Sequence, residues 1–345
     1  MAIVKVSRMG VSLLLTGLLI APVCAQQVAP PVVDADGVRL EATVVVQGEQ
    51  PGPGMWIVRN GSHDLYLLGT LSPLPDRMQW RATQVQAVLA QAQEVIRLRG
   101  VRLDMKLGFS NILLLPRLLG ARKNPDGRTL QELVSPASYA RWQALKARYI
   151  GSDRGVERWR PLFAAQELYV KAMKRSGLDL EDRVWPVVAA AIEQHHPTVT
   201  VVEVTLKIAD PKSVLKEWSK TTLDDLACFD NTMASIETDI DAMRARANAW
   251  ATGDIAALQA LPPAYRWEAC RSAVTEAGIG KRLGYGDARQ QLDARWLAAA
   301  QAALGKNDVT FAAVPLGQLL GSNGYLAQLR AKGYTVLAPD ADDEE

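Results

Sequence analysis

The chain has 345 residues, and its 39 lysines and arginines nearly balance 37 aspartates and glutamates, for a formal charge of +2 at pH 7. No basic run is long enough to follow nucleic-acid phosphates, which argues against DNA or RNA as a partner. The length would allow two domains, but the predicted strands lie at both ends with helices between them, which favours one α/β unit with a helical insertion.

The N-terminal residues 1–25 have the features of a secretory signal peptide. Lys5 and Arg8 precede an apolar run over residues 11–20, which is too short to span a bilayer, and a small-residue cleavage context ends at Ala25. We therefore expect cleavage near Ala25 and a periplasmic or secreted protein whose mature chain has no transmembrane segment.

The next segments predict a linker and then a hairpin. Residues 26–54 are rich in Pro, Gly and Val and read as a flexible linker with one short edge strand. Strands are predicted at residues 55–59 and 65–71, and the Asn60-Gly61 pair between them is typical of an antiparallel hairpin turn. Apolar spacing after Pro75 predicts a helix that returns the chain to a strand at residues 94–98.

The middle of the chain has a helical period. Residues 129–194 predict helices, with Pro161 and Pro186 in first turns that accept proline. The β-branched run 198–204 predicts a central strand. Residues 223–251 then predict one long amphipathic helix that ends at Gly253, followed by shorter helices that carry Cys270 and Trp296.

The C-terminal part returns to strands. Residues 309–314 and 334–337 predict strands on either side of a helix over about 323–331, and residues 339–345 form an acidic tail. Together these elements predict an α/β fold with a mixed β-sheet, helices on both faces and a large helical insertion in the middle.

Two cysteines remain after signal removal, Cys228 and Cys270, and an oxidising compartment favours their pairing as a disulfide. The alternative is two buried free thiols; the spacing excludes a Cys-x-x-Cys zinc site. Lipid attachment at Cys24 is disfavoured because the bulky Val23 precedes it directly.

Two strand-to-loop segments have the same pattern, an apolar strand that runs into a glycine-containing turn. They are Gly69-Thr70-Leu71-Ser72 and Pro315-Leu316-Gly317-Gln318. Such a turn lifts the next side chain into a crevice at the strand ends. We expect this crevice to gather Ser72, Gln318, Arg99 and either Glu203 or Thr205.

With their flanking sequences, these segments resemble the two Gly-x-x-His motifs of the TraB/GumN (TIKI-like) family, and the resemblance implies a family domain over residues 55–338. The family includes proposed metal-dependent proteases, so the resemblance also implies a metal site at the strand ends. Ser72 and Gln318 stand where the family has histidines. Two further family positions are changed. The position where the family has an acidic residue falls near Leu98 in this chain, and the position of the family's Arg-Asn pair falls near Leu292-Asp293.

Replacing two imidazoles by a hydroxyl and an amide removes most of the ligand strength that a transition metal needs. The three histidines, His63, His195 and His196, do not fit a replacement site or a Ser-His pair with Ser72. We therefore expect no metal, no cofactor and no catalytic residue in the crevice.

The charge near the strand ends has moved towards Arg97 and Arg99. A guanidinium there would bind an anion or pair with Glu203, while solvated arginines at a strand end are the simpler interpretation. The leading hypothesis is an exported, catalytically inactive TraB/GumN-like protein that acts as a binding or scaffold protein for a protein, a peptide or a small anionic ligand. The alternative is a metal-dependent hydrolase, a peptidase, with non-standard ligands.

Overall fold

The computed structural model describes residues 44–105, 120–261 and 267–339, together with two short strands near the N-terminus. The chain divides into two units, Met1–Ala42 and Thr43–Glu345. In the first unit, strands β1 (Val32–Val33) and β2 (Arg39–Leu40) pair antiparallel. The predicted signal peptide (1–25) and the acidic residues 340–345 lie outside the described residues.

The second unit is built on a six-stranded mixed sheet. Its strand order is β10-β8-β11-β5-β4-β12. The described residues of this unit form ten strands: β3 (Gly48–Gln50), β4 (Met55–Asn60), β5 (His63–Thr70), β6 (Leu74–Pro75), β7 (Met78–Trp80), β8 (Glu94–Met105), β9 (Leu178–Asp179), β10 (Thr198–Ile208), β11 (Val309–Pro315) and β12 (Thr335–Leu337). Strands β10, β8, β11 and β5 are parallel, whereas β4 is antiparallel to both β5 and β12.

The described residues contain fourteen α-helices. They are α1 (Thr83–Gln91), α2 (Leu130–Leu133), α3 (Pro136–Tyr149), α4 (Pro161–Arg175), α5 (Trp185–His195), α6 (Pro211–Trp218), α7 (Leu226–Thr238), α8 (Ile240–Thr252), α9 (Ile255–Ala260), α10 (Trp267–Thr275), α11 (Gly278–Arg282), α12 (Tyr285–Leu304), α13 (Leu316–Leu319) and α14 (Tyr325–Ala331). The α/β class with a mixed sheet and a long helical insertion is therefore confirmed. Within these residues, no helix combines the length and the apolar character that a membrane span requires.

Two hydrophobic clusters hold the unit together. The first surrounds the sheet and includes Phe311 of the central strand β11 and Trp250 of α8, both fully buried. The second lies within the helical insertion, where Trp142 of α3 packs against Phe229 of α7 with ring centroids 5.4 Å apart. The insertion thus has its own core and does not depend only on the sheet for burial.

Several local predictions are confirmed. Strands β4 and β5 form the antiparallel hairpin, and Gly61 in its turn has a φ of 62°, a conformation that glycine adopts without strain. Pro161 is the first residue of α4, and Pro186 is in the first turn of α5. Gly253 caps α8 with a φ of 76°.

The predicted central strand at 198–204 is wrong in its position. Strand β10 lies at the sheet edge and pairs only with β8 among the described strands, while β11 occupies the centre between β8 and β5. Val199 and Val201 are 37% and 45% exposed. A β-branched run favours a strand but does not distinguish an edge from a centre, because that position depends on chain crossovers.

Two predicted helices also differ from the structure. The long helix at 223–251 is interrupted at Asp239, which separates α7 from α8. The carboxylate of Asp239 accepts hydrogen bonds from Ser235 and Thr238, and such local side-chain bonds compete with the helical pattern. The helix that carries Trp296, α12, has 20 residues and is longer than α7 or α8, which have 13 each, whereas the sequence predicted a shorter helix there.

Cys228 of α7 and Cys270 of α10 are at disulfide distance, with Cα atoms 4.5 Å apart, as predicted. Both side chains are buried, at 0% and 5% exposure. The link joins the helical insertion to the segment that leads into α12.

The double variant Cys228→Ser/Cys270→Ser is expected to lose about 4 kcal/mol of unfolding free energy, the chain-entropy value for a loop closed over 42 residues. Denaturant unfolding of the oxidised protein, the reduced protein and the variant measures this difference. Reduced protein should match the variant. Equal stability of the variant and the oxidised protein, or two titratable thiols in unfolded, unreduced protein, would contradict the assignment.

Candidate binding crevice at the strand ends

The four parallel strands of the sheet end at one edge, which is where α/β proteins place their ligands. At this edge β5 leads to Ser72, and β11 leads directly into α13 with Gln318. Strands β8 and β10 contribute Arg99 and Glu203 part-way along their length. The predicted site residues therefore belong to the same region of the sheet.

Gly69 lies inside strand β5, paired with Val314 of β11, and not in a turn as predicted. A Cβ atom on Gly69 would lie 2.4 Å from the Cδ2 atom of Leu316, closer than real contacts allow. The carbonyl of Gly69 accepts a hydrogen bond from Trp250 Nε1 at 2.7 Å. Glycine is needed here for a close approach between the end of β5 and the start of α13.

Gly317 has a different role from Gly69, although the two motifs look alike in sequence. It lies in the short helix α13, where the prediction had a turn, and a Cβ atom added to it would meet nothing within 4 Å. Only the first of the two motifs therefore depends on its glycine for packing.

Ser72 is exposed and lines a cleft of about 360 Å³, here called the Ser72 cleft. Residues 315–317 form one part of its lining, and residues 180–182 of the helical insertion form another. Glu181 and Asp182 thus bring two carboxylates near Ser72. Asp182 Oδ1 also accepts hydrogen bonds from the backbone N–H groups of Val184 and Trp185, both at 2.9 Å.

Gln318 lines a second cleft of about 630 Å³, here called the Gln318 cleft, which also includes Gly100 and Asp293. The Tyr325 hydroxyl lies 2.6 Å from Asp293 Oδ1 and 3.3 Å from Gln318 Oε1. Because a phenol has one proton, it donates to the nearer carboxylate. Arg289 Nε donates to both oxygens of Asp293, at 3.2 and 3.1 Å.

The phenol of Tyr325 is held in its neutral form. Burial is the main cause that raises its pKa, and the hydrogen bond to the negative Asp293 raises it further. The Tyr325 hydroxyl therefore remains a hydrogen-bond donor over the physiological pH range, and it keeps Asp293 in place beside Gln318.

A β-bulge places Arg99 beside Glu203. Val202 pairs with Leu98 and Glu203 pairs with Gly100, so Arg99 is the extra residue, and Gly100 has a φ of 82°. Arg99 Nη1 lies 3.8 Å from Glu203 Oε2, which is the ion pair that the sequence allowed as one alternative. Arg99 is 43% exposed, so this pair contributes little to stability.

Arg97 makes different contacts from Arg99. Its guanidinium carbon lies 3.7 Å from the ring centroid of Trp185, in a cation–π arrangement. Burial and, to a smaller extent, the neighbouring charge of Arg99 lower the pKa of Arg97, which Asp182 partly offsets. Arg97 therefore packs on Trp185 and is not part of the lining of the Ser72 cleft.

Ser72 and Gln318 line two clefts, whose linings include the consecutive residues Gly317 and Gln318 of α13. Leu316 and Gly317 line the Ser72 cleft, and Gln318 lines the other. Four residues of this region carry no sequence signal that connects them to the strand ends: Glu181, Asp182, Arg289 and Tyr325. Long insertions and helix packing bring them there.

The residues at the strand ends do not fit a transition metal of the kind that the family resemblance implies. The two strand-end positions offer a neutral hydroxyl and a neutral amide, and Glu203 and Asp293 are each paired with an arginine. In the part of the chain that the structure describes, no group of three or more His, Cys, Asp or Glu residues is arranged to hold a metal.

The fold and this region define an α/β protein in which the edge where such folds usually bind ligands carries neutral side chains at both strand-end positions. The model of the TraB/PrgY/gumN family matches residues 54–338, and the chain belongs to this family. Searches of curated proteins and of solved structures gave no significant match.

The Gly69→Ala variant is expected to lose about 1–3 kcal/mol of unfolding free energy, because the added methyl group overpacks against Leu316. Gly317→Ala is the matched control: it has open space and lies in a helix, so its stability should stay unchanged or rise by up to about 1 kcal/mol. Denaturant unfolding compares them. Equal effects of the two changes would contradict the packing role of Gly69.

Proposed function

We propose that this chain is an exported, catalytically inactive member of the TraB/PrgY/gumN family that works as a binding or scaffold protein. One observation carries the proposal: the side chains at the two strand-end positions are Ser72 and Gln318. A hydroxyl and an amide can form hydrogen bonds with a ligand, but they are weak ligands for the metals that activate water for hydrolysis.

The surrounding charges support the same conclusion. The Glu203 carboxylate pairs with Arg99, and the Asp293 carboxylate accepts from Arg289 and Tyr325. A metal at Asp293 would compete with the hydrogen bonds from Arg289, and a metal at Glu203 would be repelled by the charge of Arg99. The arginines leave this edge suited to polar or anionic partners, in agreement with a peptide or a small anionic ligand.

Export is supported by two features of the sequence. Residues 1–25 follow the pattern of a cleaved signal peptide, and the two remaining cysteines lie at disulfide distance, an arrangement that is common in oxidising compartments. We therefore place the mature protein in the periplasm or outside the cell.

A second candidate function is a metal-dependent peptidase with non-standard ligands. The observation that favours it is the presence of Glu181 and Asp182 in the lining of the Ser72 cleft, because carboxylates bind metals. Asp182, however, is already used to hold the first turn of α5. The two candidate functions differ in whether the strand-end region binds a metal.

Restoring both imidazoles tests the proposal. The double variant Ser72→His/Gln318→His is expected to bind one equivalent of Zn²⁺ or Co²⁺ more tightly than the wild type, because imidazole supplies the missing ligand strength. Isothermal titration with each metal measures the affinity. Ser72→Ala/Gln318→Ala is the control, since it changes the same positions without adding a ligand.

Equal metal affinity of the histidine variant and the alanine control would show that the two positions no longer face a common site. Tight metal binding by the alanine control, together with peptidase activity, would instead support the second candidate. In that case Glu181→Gln and Asp182→Asn should each lower the affinity for the metal.

A further inference from the structure

The Gln318 cleft is large and polar. Its volume of about 630 Å³ falls in the usual range for ligand pockets, and it lies between α10 and α12 beside the bulge at Gly100. Its lining includes the side-chain amides of Gln290 and Gln318 and the hydroxyls of Ser272 and Thr275. These groups both donate and accept hydrogen bonds, which matches the paired needs of a peptide backbone.

Arg289 provides an oriented cationic group in this cleft. Its Nε atom is used by Asp293, and in the described part of the chain its Nη1 and Nη2 atoms make no hydrogen bond. The Tyr325 hydroxyl in turn holds Asp293 from the other side. The outer edge of the guanidinium can therefore receive a carboxylate in a two-point contact, without displacing Asp293.

The acidic residues of the lining do not stand in the way of an acidic partner. The Glu276 carboxylate lies 2.9 Å from Lys281 Nζ, and the Asp293 carboxylate is paired with Arg289. Both acidic groups of the cleft lining thus have a cation beside them, which reduces their repulsion of a negative ligand.

We propose that the Gln318 cleft binds an acidic peptide segment, with a carboxylate of the peptide on Nη1 and Nη2 of Arg289. The inference rests on the proposed binding function and names its site and ligand class. The amides and hydroxyls hold the peptide backbone, and Arg289 selects for negative charge.

The disulfide fixes one wall of this site. Cys270 directly precedes Arg271 and Ser272, both of which line the cleft. Among the residues whose burial the structure describes, neither hydrophobic cluster includes a residue of α10. The link to Cys228 on α7 attaches this wall to the helical insertion, and Ala273 of α10 is buried as well.

Fluorescence anisotropy tests the proposal with a fluorescein-labelled hexapeptide of alternating aspartate and glycine, added to the oxidised protein. The comparison probe is the same labelled peptide with asparagine in place of aspartate, so the two probes share the charge of the label and differ only in the aspartate carboxylates. We expect the aspartate peptide to bind and the asparagine peptide to bind at least about tenfold more weakly, the factor for losing a charge-assisted hydrogen bond. Arg289→Gln should weaken the acidic peptide by a similar factor. Arg330→Gln, an exposed arginine of α14 outside the cleft lining, should change it by less than about twofold.

A steric pair of variants keeps the test valid if Arg289→Gln perturbs folding. Gly286 lines the cleft and Gly278 does not, and a Cβ atom on either would meet nothing within 4 Å. Gly286→Trp should abolish binding, while Gly278→Trp should leave it unchanged.

Three outcomes would overturn the proposal: no binding of the acidic peptide at millimolar concentration, binding that is unaffected by both Arg289→Gln and Gly286→Trp, or equal displacement by inorganic phosphate and unlabelled peptide. The last result would assign a small-anion site. None of these outcomes changes the metal affinity of the variants at Ser72 and Gln318, so failure of this inference is distinguishable from failure of the proposed function.

Discussion

The close packing of Gly69 against Leu316 is the constraint on which the strand-end region depends. It brings the end of β5 against the start of α13, and the hydrogen bond from the buried Trp250 to the Gly69 carbonyl anchors the same point to the helical part of the chain. Residues 315–318 cannot move away from β5 without opening this contact. As a result, α13 is held in place between the two clefts, of which Ser72 lines one and Gln318 lines the other.

Electrostatic pairing is the second feature of this region. The carboxylates of Glu203 and Asp293 lie beside Arg99 and Arg289, so their charge is already balanced. Of these four residues, Asp293 and Arg289 belong to the lining of the Gln318 cleft, and neither Arg99 nor Glu203 lines that cleft or the Ser72 cleft. Both pairs are partly exposed and add little to stability. In the proposed function their effect is on selectivity, because balanced carboxylates attract a metal less and the free edge of Arg289 attracts a carboxylate.

The sequence predicted the features that depend on local chemistry. The Asn60-Gly61 hairpin, the proline positions in α4 and α5, and the glycine cap of α8 each follow from a few neighbouring residues. The edge position of β10 and the location of Asp182 near Ser72 did not follow, because crossovers and the packing of distant helices determine them. The bulge at Arg99 was not predicted either, because Gly100 is its only local signal and a single glycine in a strand does not specify a bulge. Of the predicted site residues, the Arg99–Glu203 pair is one of the alternatives that the sequence left open, whereas the division of the strand-end region into two clefts did not follow from it.

The proposed function requires that this family member has exchanged metal chemistry for ligand binding at its strand ends. Elemental analysis of the mature protein, purified without chelators and desalted, measures the metal content. We expect much less than one equivalent of Zn, Mn, Co or Fe per chain. Close to one equivalent of a transition metal, removed by a chelator together with a peptidase activity, would contradict it.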